Sequence, residues 1–581
     1  MADKITEEME YHQIEDEFKA ADSALAQTHA EWREYDAYYM ADQWAKQRAS
    51  WRPDPVVNYA SYIVDQKRPQ LTNSRPTGIL LPTAQGDEDA AKLFTQVTDV
   101  IGERVDLDSR TEEVVQAGLL LDIGWFKVYW DQSLKGGQPG KGNVWRGDVA
   151  VEAPDPANIY FDPQAATVEE CRYIIYAVPK TVAWIKDKFG KEVEADSSGR
   201  FSTDIYDRPY VDRKDSVMLF ERWAKEDGKL NVTYAAGGKI LKKIKDIYKH
   251  GRYPFVPFVA KKRRKSILGI SEIRNIMSNQ KLLNKLVEMP STAALLTANP
   301  IALIDPMSGI DKNKWISKPG MTWYAKDPQK SVHWLQPPSF PGDVYKLADM
   351  LQGYIERIGG VYDALTGETP SGVTAAAAIQ LLQEQGSIPI KGIARNLYAS
   401  ITEVYKQMVE LVKQFYNETR YIRITGEDGG YEFIEFEAAK YADVDFDIKV
   451  SAGAGTPTSE AFIAQLGEEL FSKGLLLGSE YVDMQKNLPN KDRIVARLRE
   501  QEAIPAPAAQ PQTGGTPPGA MPAQAQPAMP AAAPLGLPEQ PTLDDIYAAS
   551  PPEIQQQIDL MAGQGMSEQQ ILEQLMQMVK R

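Results

Sequence analysis

A chain of 581 residues exceeds what one hydrophobic core usually organises, so several modules or one elongated, multi-part subunit is expected. Its formal net charge of −15 counts against tight, non-specific nucleic-acid binding, because phosphate affinity comes from clustered Lys and Arg, yet it leaves weak, sliding contact open. No apolar run approaches the roughly 18 residues a membrane span needs, and the N-terminus is acidic and polar, which reads as a soluble, unsecreted protein with no membrane partner. The single cysteine, Cys171, has no second thiol for a disulfide or a zinc cluster and reads as an inert buried thiol in a reducing compartment.

From Thr6 to about Ser50 the pattern is helical, with apolar and aromatic residues at Leu25, Trp32, Tyr35, Tyr39 and Trp44, and Pro53 and Pro55 end it. A second helical run, Val57 to Lys67, is predicted to stop at Arg68-Pro69, and a third spans Glu88 to Val105. Between Gly124 and Tyr176 the apolar spacing shifts towards two, giving strands at 125–130, 149–151 and 159–161, with KGGQPGKGN as a hairpin tip. Further strands are expected at Ser216–Trp223, Asn231–Tyr234 and Phe255–Val259.

At Gly269 the character changes. Ile270, Ile273, Ile276, Leu283, Leu286 and Val287 recur every three or four positions, an apolar helical stripe that either ends at Pro290 or continues past it after a kink. The Pro-, Gly- and Trp-rich stretch from Ile301 to Pro341 reads as a strand-and-loop insert, and helix returns from Asp343 to Ile358. The loop GGVYDALTGETPSG then leads into the longest helical pattern, whose later half carries Ile393, Leu397, Ile401, Val404, Met408, Leu411 and Phe415, with a kink or break expected near Ser387 to Pro389. Strands are expected at 421–424, 431–436 and 444–450, followed by helical residues 460–499 interrupted at Gly474, Gly478 and Pro489. Residues 503–541 form an Ala-, Pro- and Gln-rich tract that lacks the large apolar groups of a core and reads as a flexible linker, and 542–581 as a helical hairpin.

No catalytic signature survives inspection. The glycines from Gly136 to Gly142 lack the spacing of a phosphate loop, and Gly142 stands where a Mg-binding Ser or Thr is needed. His12, His29, His250 and His333 are scattered without ligand spacing or a carboxylate partner, so neither a hydrolytic triad nor a metal site is indicated and no cofactor is expected. Asp443, Asp445 and Asp447 share one face of a strand, best explained as a solvated or intersubunit face, with a weak divalent-cation site as the minor reading. The run Lys261, Lys262, Arg263, Arg264 and Lys265 is the sharpest charge anomaly, and two readings fit it equally: contact with DNA phosphates or an acidic neighbouring subunit, and a solvated connection.

The succession of helices, mixed domain, helix, insert, helix, glycine-bearing loop, long helix and strands resembles the portal proteins of tailed bacteriophages, of the podovirus-like type. The segments YYMADQWAKQRASWRPDPVVNYASYIVDQKRPQLTNSRP, LDIGWFKVYWD with VEAPDPANIYFDP, ILGISEIRNIMSNQKLLNK and LTGETPSGVTAAAAIQLLQEQG carry the resemblance, which covers roughly residues 30–500. Each is weak alone; their shared order is the signal.

The resemblance implies an α+β, mainly helical portal fold that assembles into a ring. Residues 1–265 would be the wing, 266–298 the first stem helix, 299–340 the clip, 341–359 the second stem helix, 360–372 the tunnel loop, 373–452 the wing's long kinked helix and returning strands, and 456–500 the crown. It further implies a dodecameric homo-oligomer in the virion, at the capsid portal vertex, assembled in the host bacterial cytoplasm. Double-stranded DNA would pass through its channel, and its partners would be the terminase motor, tail adaptor proteins, the major capsid protein and scaffold; it would not be an enzyme. Gly360, Val361, Tyr362, Asp363, Leu365, Thr366, Gly367, Glu368 and Gly372 are the expected DNA-facing residues, in a loop with acids but no Lys or Arg, suited to steric contact rather than a phosphate clamp. The competing reading is another ring-forming head–tail adaptor or capsid-associated structural protein; a packaging ATPase fails for lack of a phosphate loop.

Overall fold

The chain divides into two units, residues 1–505 and 506–581. The computed structural model describes residues 2–44, 48–73, 76–138, 143–195, 215–299, 301–311, 322, 324–327, 329–335, 341–361, 388–418, 420–425, 431–441, 444–452, 467, 471, 476–484 and 491–502, all in the first unit. The linker and C-terminal hairpin expected at 503–581 lie outside them, as do residues 139–142 of the hairpin tip and 362–387.

Helix α1 (Ala2–Tyr39) has 38 residues and is therefore about 57 Å long. Ile14, Ala21, Leu25, Trp32, Tyr35 and Tyr38 recur at steps of three, four or seven, so one stripe of the helix is buried. Arg222 fixes that stripe against the sheet by donating from Nε and Nη2 to the two Glu17 oxygens at 2.6 and 2.9 Å. The helix stops eleven residues short of the expected end at Ser50: Gln43 turns back to donate to the Tyr38 carbonyl at 2.8 Å, and Ala41 takes a left-handed φ of 63°.

Helix α2 (Tyr59–Thr72) begins where the Asn58 side chain accepts from Ser61 N–H. The expected stop at Arg68-Pro69 is corrected: Pro69 sits in the last turn, where its missing donor costs one bond, and the helix ends when Asn73 N–H donates to the Pro69 carbonyl at 2.7 Å. Strand β1 (Pro76–Pro82) follows, in a stretch whose prolines read as breaks. Helix α3 (Glu88–Arg104) matches expectation, but a further helix, α4 (Leu107–Leu120), follows immediately and is set off by Asp106 at φ 52°.

Strands β2 (Gly124–Gln138) and β3 (Asn143–Glu152) form the expected hairpin, paired out to Gln138 opposite Asn143. Beyond them come β4 (Ile159–Phe161), β5 (Tyr173–Thr181), helix α5 (Val182–Phe189), β6 (Ser216–Glu226), β7 (Lys229–Ala236), β8 (Lys239–Ile244) and β9 (Phe255–Phe258). They make two antiparallel sheets, in order β3-β2-β9 and β4-β5-β6-β7-β8. A run of buried aromatics between the sheets, Trp125, Phe161, Trp223 and Phe255, joins them into one core.

Helix α6 (Glu272–Ala298) passes through Pro290 without ending, which decides between the two alternatives the sequence allows. Its N-cap Ser271 accepts from Ile273 N–H at 3.0 Å. Strands β10 (Ile301–Ile304) and β11 (Val332–Leu335) pair antiparallel in the insert, and helix α7 (Asp343–Gly359) returns to pack on α6. Helix α8 (Ile388–Phe415) is the spine of the unit. Ile390, Ile393, Leu397, Ile401, Val404, Met408 and Leu411 are all buried, at steps of three and four, against β1, β2, β9, α2 and α3. The expected kink before Pro389 lies largely outside the described residues.

Strands β12 (Arg420–Thr425) and β13 (Tyr431–Phe436) pair with each other, and β14 (Phe446–Ala452) pairs antiparallel with β1, Pro76 opposite Ala452 and Pro82 opposite Phe446. The prolines thus stand at strand ends, where a missing donor is tolerated. Helices α9 (Gly478–Met484) and α10 (Lys491–Glu502) complete the described chain.

Candidate functional site

Helix α7 ends in a turn whose local chemistry is complete. Gly360 N–H donates to the Arg357 carbonyl at 3.3 Å and Val361 N–H to the Glu356 carbonyl at 3.1 Å, the paired bonds of a Schellman ending. Gly360 takes φ 67°, a left-handed conformation that glycine adopts without steric cost, and Val361 is buried. Of the expected DNA-facing residues, Gly360 and Val361 are therefore placed, while Tyr362, Asp363, Leu365, Thr366, Gly367, Glu368 and Gly372 lie outside the described residues.

The place where that segment departs is also where it returns. A Cβ on Gly360 would lie 3.6 Å from Cβ of Pro389, the second residue of α8, and 3.9 Å from Nζ of Lys67 on α2. Gly360, just past the end of α7, and Pro389, at the start of α8, thus meet at one junction with Lys67 of α2.

Beside the junction sits a buried cluster of charge. The Lys67 ammonium, 2% exposed, lies 3.0 Å from Oε2 of Glu272, itself fully buried, and Lys261 Nζ reaches the same oxygen at 2.9 Å. Burial pulls the Lys67 pKa down and the Glu272 charge opposes that shift. Oε1 of Glu272 has no hydrogen-bond partner among the described residues. Next to it, Asp122 is buried and accepts from Trp32 Nε1 at 3.0 Å and from Ser271 N–H at 2.5 Å. Burial raises the Asp122 pKa against those two hydrogen bonds.

The basic run is divided by this packing. Lys261, partly exposed, reaches into the buried cluster, whereas Lys262, Arg263, Arg264 and Lys265 are fully on the surface of a turn closed by pairing of Lys262 with Gly269 and by Ile270 N–H donating to the Lys261 carbonyl at 3.0 Å. Ile267 and Leu268 are buried beneath it. Gly269 permits the close approach: a Cβ there would lie 2.6 Å from the Lys261 carbonyl oxygen and 2.7 Å from that of Asp122. Sequence reasoning misses Lys67 and Glu272 as functional candidates. A lone Lys in a helix and a Glu in a first turn normally read as solvated charges, and only the fold removes both from water.

The other candidates resolve simply. Asp445 and Asp447 are exposed, Asp445 lying 4.0 Å from Lys413 Nζ, and Asp443 is outside the described residues. No group of three or more potential metal ligands occurs among the described residues. His29 and His250 are held near pKa 4 by burial, with Arg33 adding to the effect at His29 and Arg252 and then Lys225 at His250. Burial pushes the Cys171 thiol up to about 12, and its S–H points at the Thr167 carbonyl, 3.5 Å away, which makes it a poor nucleophile.

One further surface stands out. Tyr345, Leu347, Met350, Tyr354 and Ile358 of α7 are 42–57% exposed, and Leu282, Met289, Leu295 and Leu296 of α6 are similarly uncovered. Among the described residues no helix is long and apolar enough to cross a membrane.

The fold brings together paired helices that carry uncovered apolar positions and a buried charged junction where the end of α7 and the start of α8 meet α2. The chain belongs to the phage P22-like portal protein family, whose family model matches residues 15–570. It is accordingly a bacteriophage portal protein, a structural component of the head-to-tail connector at the capsid vertex. A comparison with curated proteins returns no match.

Proposed function

We propose that the chain is one subunit of a ring, dodecameric as the portal resemblance implies, whose central channel passes double-stranded DNA during packaging and ejection. In this reading residues 1–265 and 373–452 form the wing, 266–298 with α6 and 341–359 with α7 the stem, 299–340 the clip, 360–372 the tunnel loop and 456–500 the crown. The clip end receives the terminase motor and later the tail adaptors, and the wing meets the major capsid protein and scaffold. The subunit supplies no chemistry of its own.

The observation that carries this reading is the uncovered apolar face of α7. Leu347, Met350, Tyr354 and Ile358, at steps of three and four, form one face of the helix that the subunit's own packing leaves 42–54% exposed. Covering the roughly half of each side chain still exposed contributes on the order of 1 kcal/mol, and a closed ring covers them in every copy at once. The junction of Gly360 with Pro389 adds support, because it holds together the ends of the two helices that flank the proposed tunnel loop in the chain.

Electron microscopy of the purified full-length protein tests the proposal. Rings with a central hole wide enough for a duplex are expected; a monomer or small dimer over a range of concentrations and salt overturns it.

A further inference from the structure

The exposed part of the basic run has a specific place in the fold. Lys261 reaches Glu272 at 2.9 Å, Glu272 reaches Lys67 at 3.0 Å, and Lys67 abuts Gly360, the residue that caps the end of α7. On the other side, Asn396 of α8 donates to the Ala260 carbonyl at 3.2 Å, immediately before the run, and Arg395 is exposed on the same turn of α8. A run and a loop about a hundred residues apart in the chain therefore share one root.

Lys262, Arg263, Arg264 and Lys265 make no ion pair or side-chain hydrogen bond among the described residues, and neither does Arg395. Glu272, which Lys261 reaches, and Asp122, whose backbone carbonyl holds Gly269, are buried, and their carboxylates are committed to Lys67, Lys261, Trp32 and Ser271. The turn is also held in shape before any partner arrives, by the Lys262–Gly269 pairing, the buried Ile267 and Leu268, and a left-handed Lys265 at φ 56°. A solvated connection needs no such anchoring. Four cations in succession on a fixed turn, without an interspersed acid, match a uniform line of phosphates better than the mixed charges of a protein face.

We infer that Lys262, Arg263, Arg264 and Lys265 form a contact site for the phosphate backbone of double-stranded DNA at the root of the 362–387 segment. The inference rests on the portal reading and sharpens it: contact by the segment itself is steric, and the electrostatic contact is made beside its anchor. Lys261 is a positioning residue here, holding the turn to Glu272. Because the cations are few per subunit in a strongly acidic chain, the contact is salt-sensitive and permits sliding.

The test uses assembled full-length rings and a linear duplex of roughly 30 base pairs, with binding measured between about 50 and 200 mM salt, the range over which phosphate contacts dominate the response. The variant Lys262→Gln/Arg263→Gln/Arg264→Gln/Lys265→Gln is expected to keep its rings, to bind at least about tenfold more weakly at the low-salt end, and to show a salt slope shallower by about 0.9 for each phosphate it no longer neutralises. The charge-preserving exchange Lys262→Arg/Arg263→Lys/Arg264→Lys/Lys265→Arg is expected to retain both affinity and slope. If the fourfold variant does not fold, Arg263→Gln/Arg264→Gln is read in its place, with a proportionally smaller change. Intact rings with unchanged affinity and slope overturn the inference. So does a folded variant that no longer forms rings, which would assign the turn to an acidic face of a second copy. Failure of the unmodified protein to form rings at all counts against the portal reading instead, and is seen before any variant is made.

Discussion

Lys67 and Glu272 form a buried ion pair, Nζ to Oε2 at 3.0 Å, that joins α2 to the first turn of α6 beside the contact of Gly360 with Pro389. A pair so deeply removed from water is held against a large desolvation cost, so it is most sensitive to losing one member. Lys67→Met leaves Glu272 with Lys261 alone and is expected to lower stability by roughly 3–5 kcal/mol, whereas Lys67→Met/Glu272→Leu recovers most of that loss because Lys261 can turn to solvent. Urea unfolding of the wild type, the single and the double variant checks it; equal losses in both variants would contradict the account.

Acid sensitivity follows from His29. Its ring is 7% exposed, its Nε2 has no hydrogen-bond partner among the described residues, and burial first and Arg33 second hold its pKa at about 4. The unfolded value is about 6.5, so between 6.5 and 4 the unfolded chain takes up a proton that the folded chain refuses. Stability is therefore full above about pH 6.5 and falls as pH drops through that window, by on the order of 2 kcal/mol at pH 5 from this residue. His250 acts in the same direction. Unfolding curves at pH 7 and pH 5 should show the loss, and His29→Phe should diminish it.

Asp148 gathers three elements. It is 1% exposed, accepts from Tyr416 Oη at 2.6 Å, pairs with Arg104, and lies 3.6 Å from Arg420, whose guanidinium stacks over the Tyr416 ring at 3.6 Å. Asp148→Asn removes the charge between two arginines, one of them buried, and is expected to destabilise the chain by roughly 3–5 kcal/mol. Thermal and urea unfolding measure it; a near-neutral variant would mean that water reaches Arg420.

The apolar face of α7 calls for the opposite pattern. Leu347 and Tyr354 are 42% and 45% exposed, so Leu347→Glu/Tyr354→Glu should leave subunit stability within about 0.5 kcal/mol of wild type while shifting the protein from ring to monomer. Mass photometry and circular dichroism separate the two effects. Rings that persist would place the subunit interface elsewhere.

Elements with a strong local period are legible in the amino-acid sequence itself. The stripe from Asp343 to Ile358 and the steps from Ile393 to Phe415 appear as helices with nearly the expected bounds, and the hairpin around residues 139–142 is paired up to both sides of its tip. Helix α4 escapes sequence reasoning because nothing but the left-handed Asp106 separates it from α3. Strand β1 escapes it because Pro76 and Pro82 read as breaks and its partner, β14, lies at the far end of the unit.

The sequence alone determined the class of element at most places, the absence of any recognisable catalytic motif, and the concentration of positive charge before α6. These depend on neighbours three, four or two residues away, where spacing and side-chain type suffice. Only the tertiary structure decided which charges act together. It buried Lys67 with Glu272, drew the partly exposed Lys261 onto the same carboxylate, left Lys262 to Lys265 in solvent, and brought Gly360 against Pro389, because whether a charge keeps its water is decided by what distant chain packs over it.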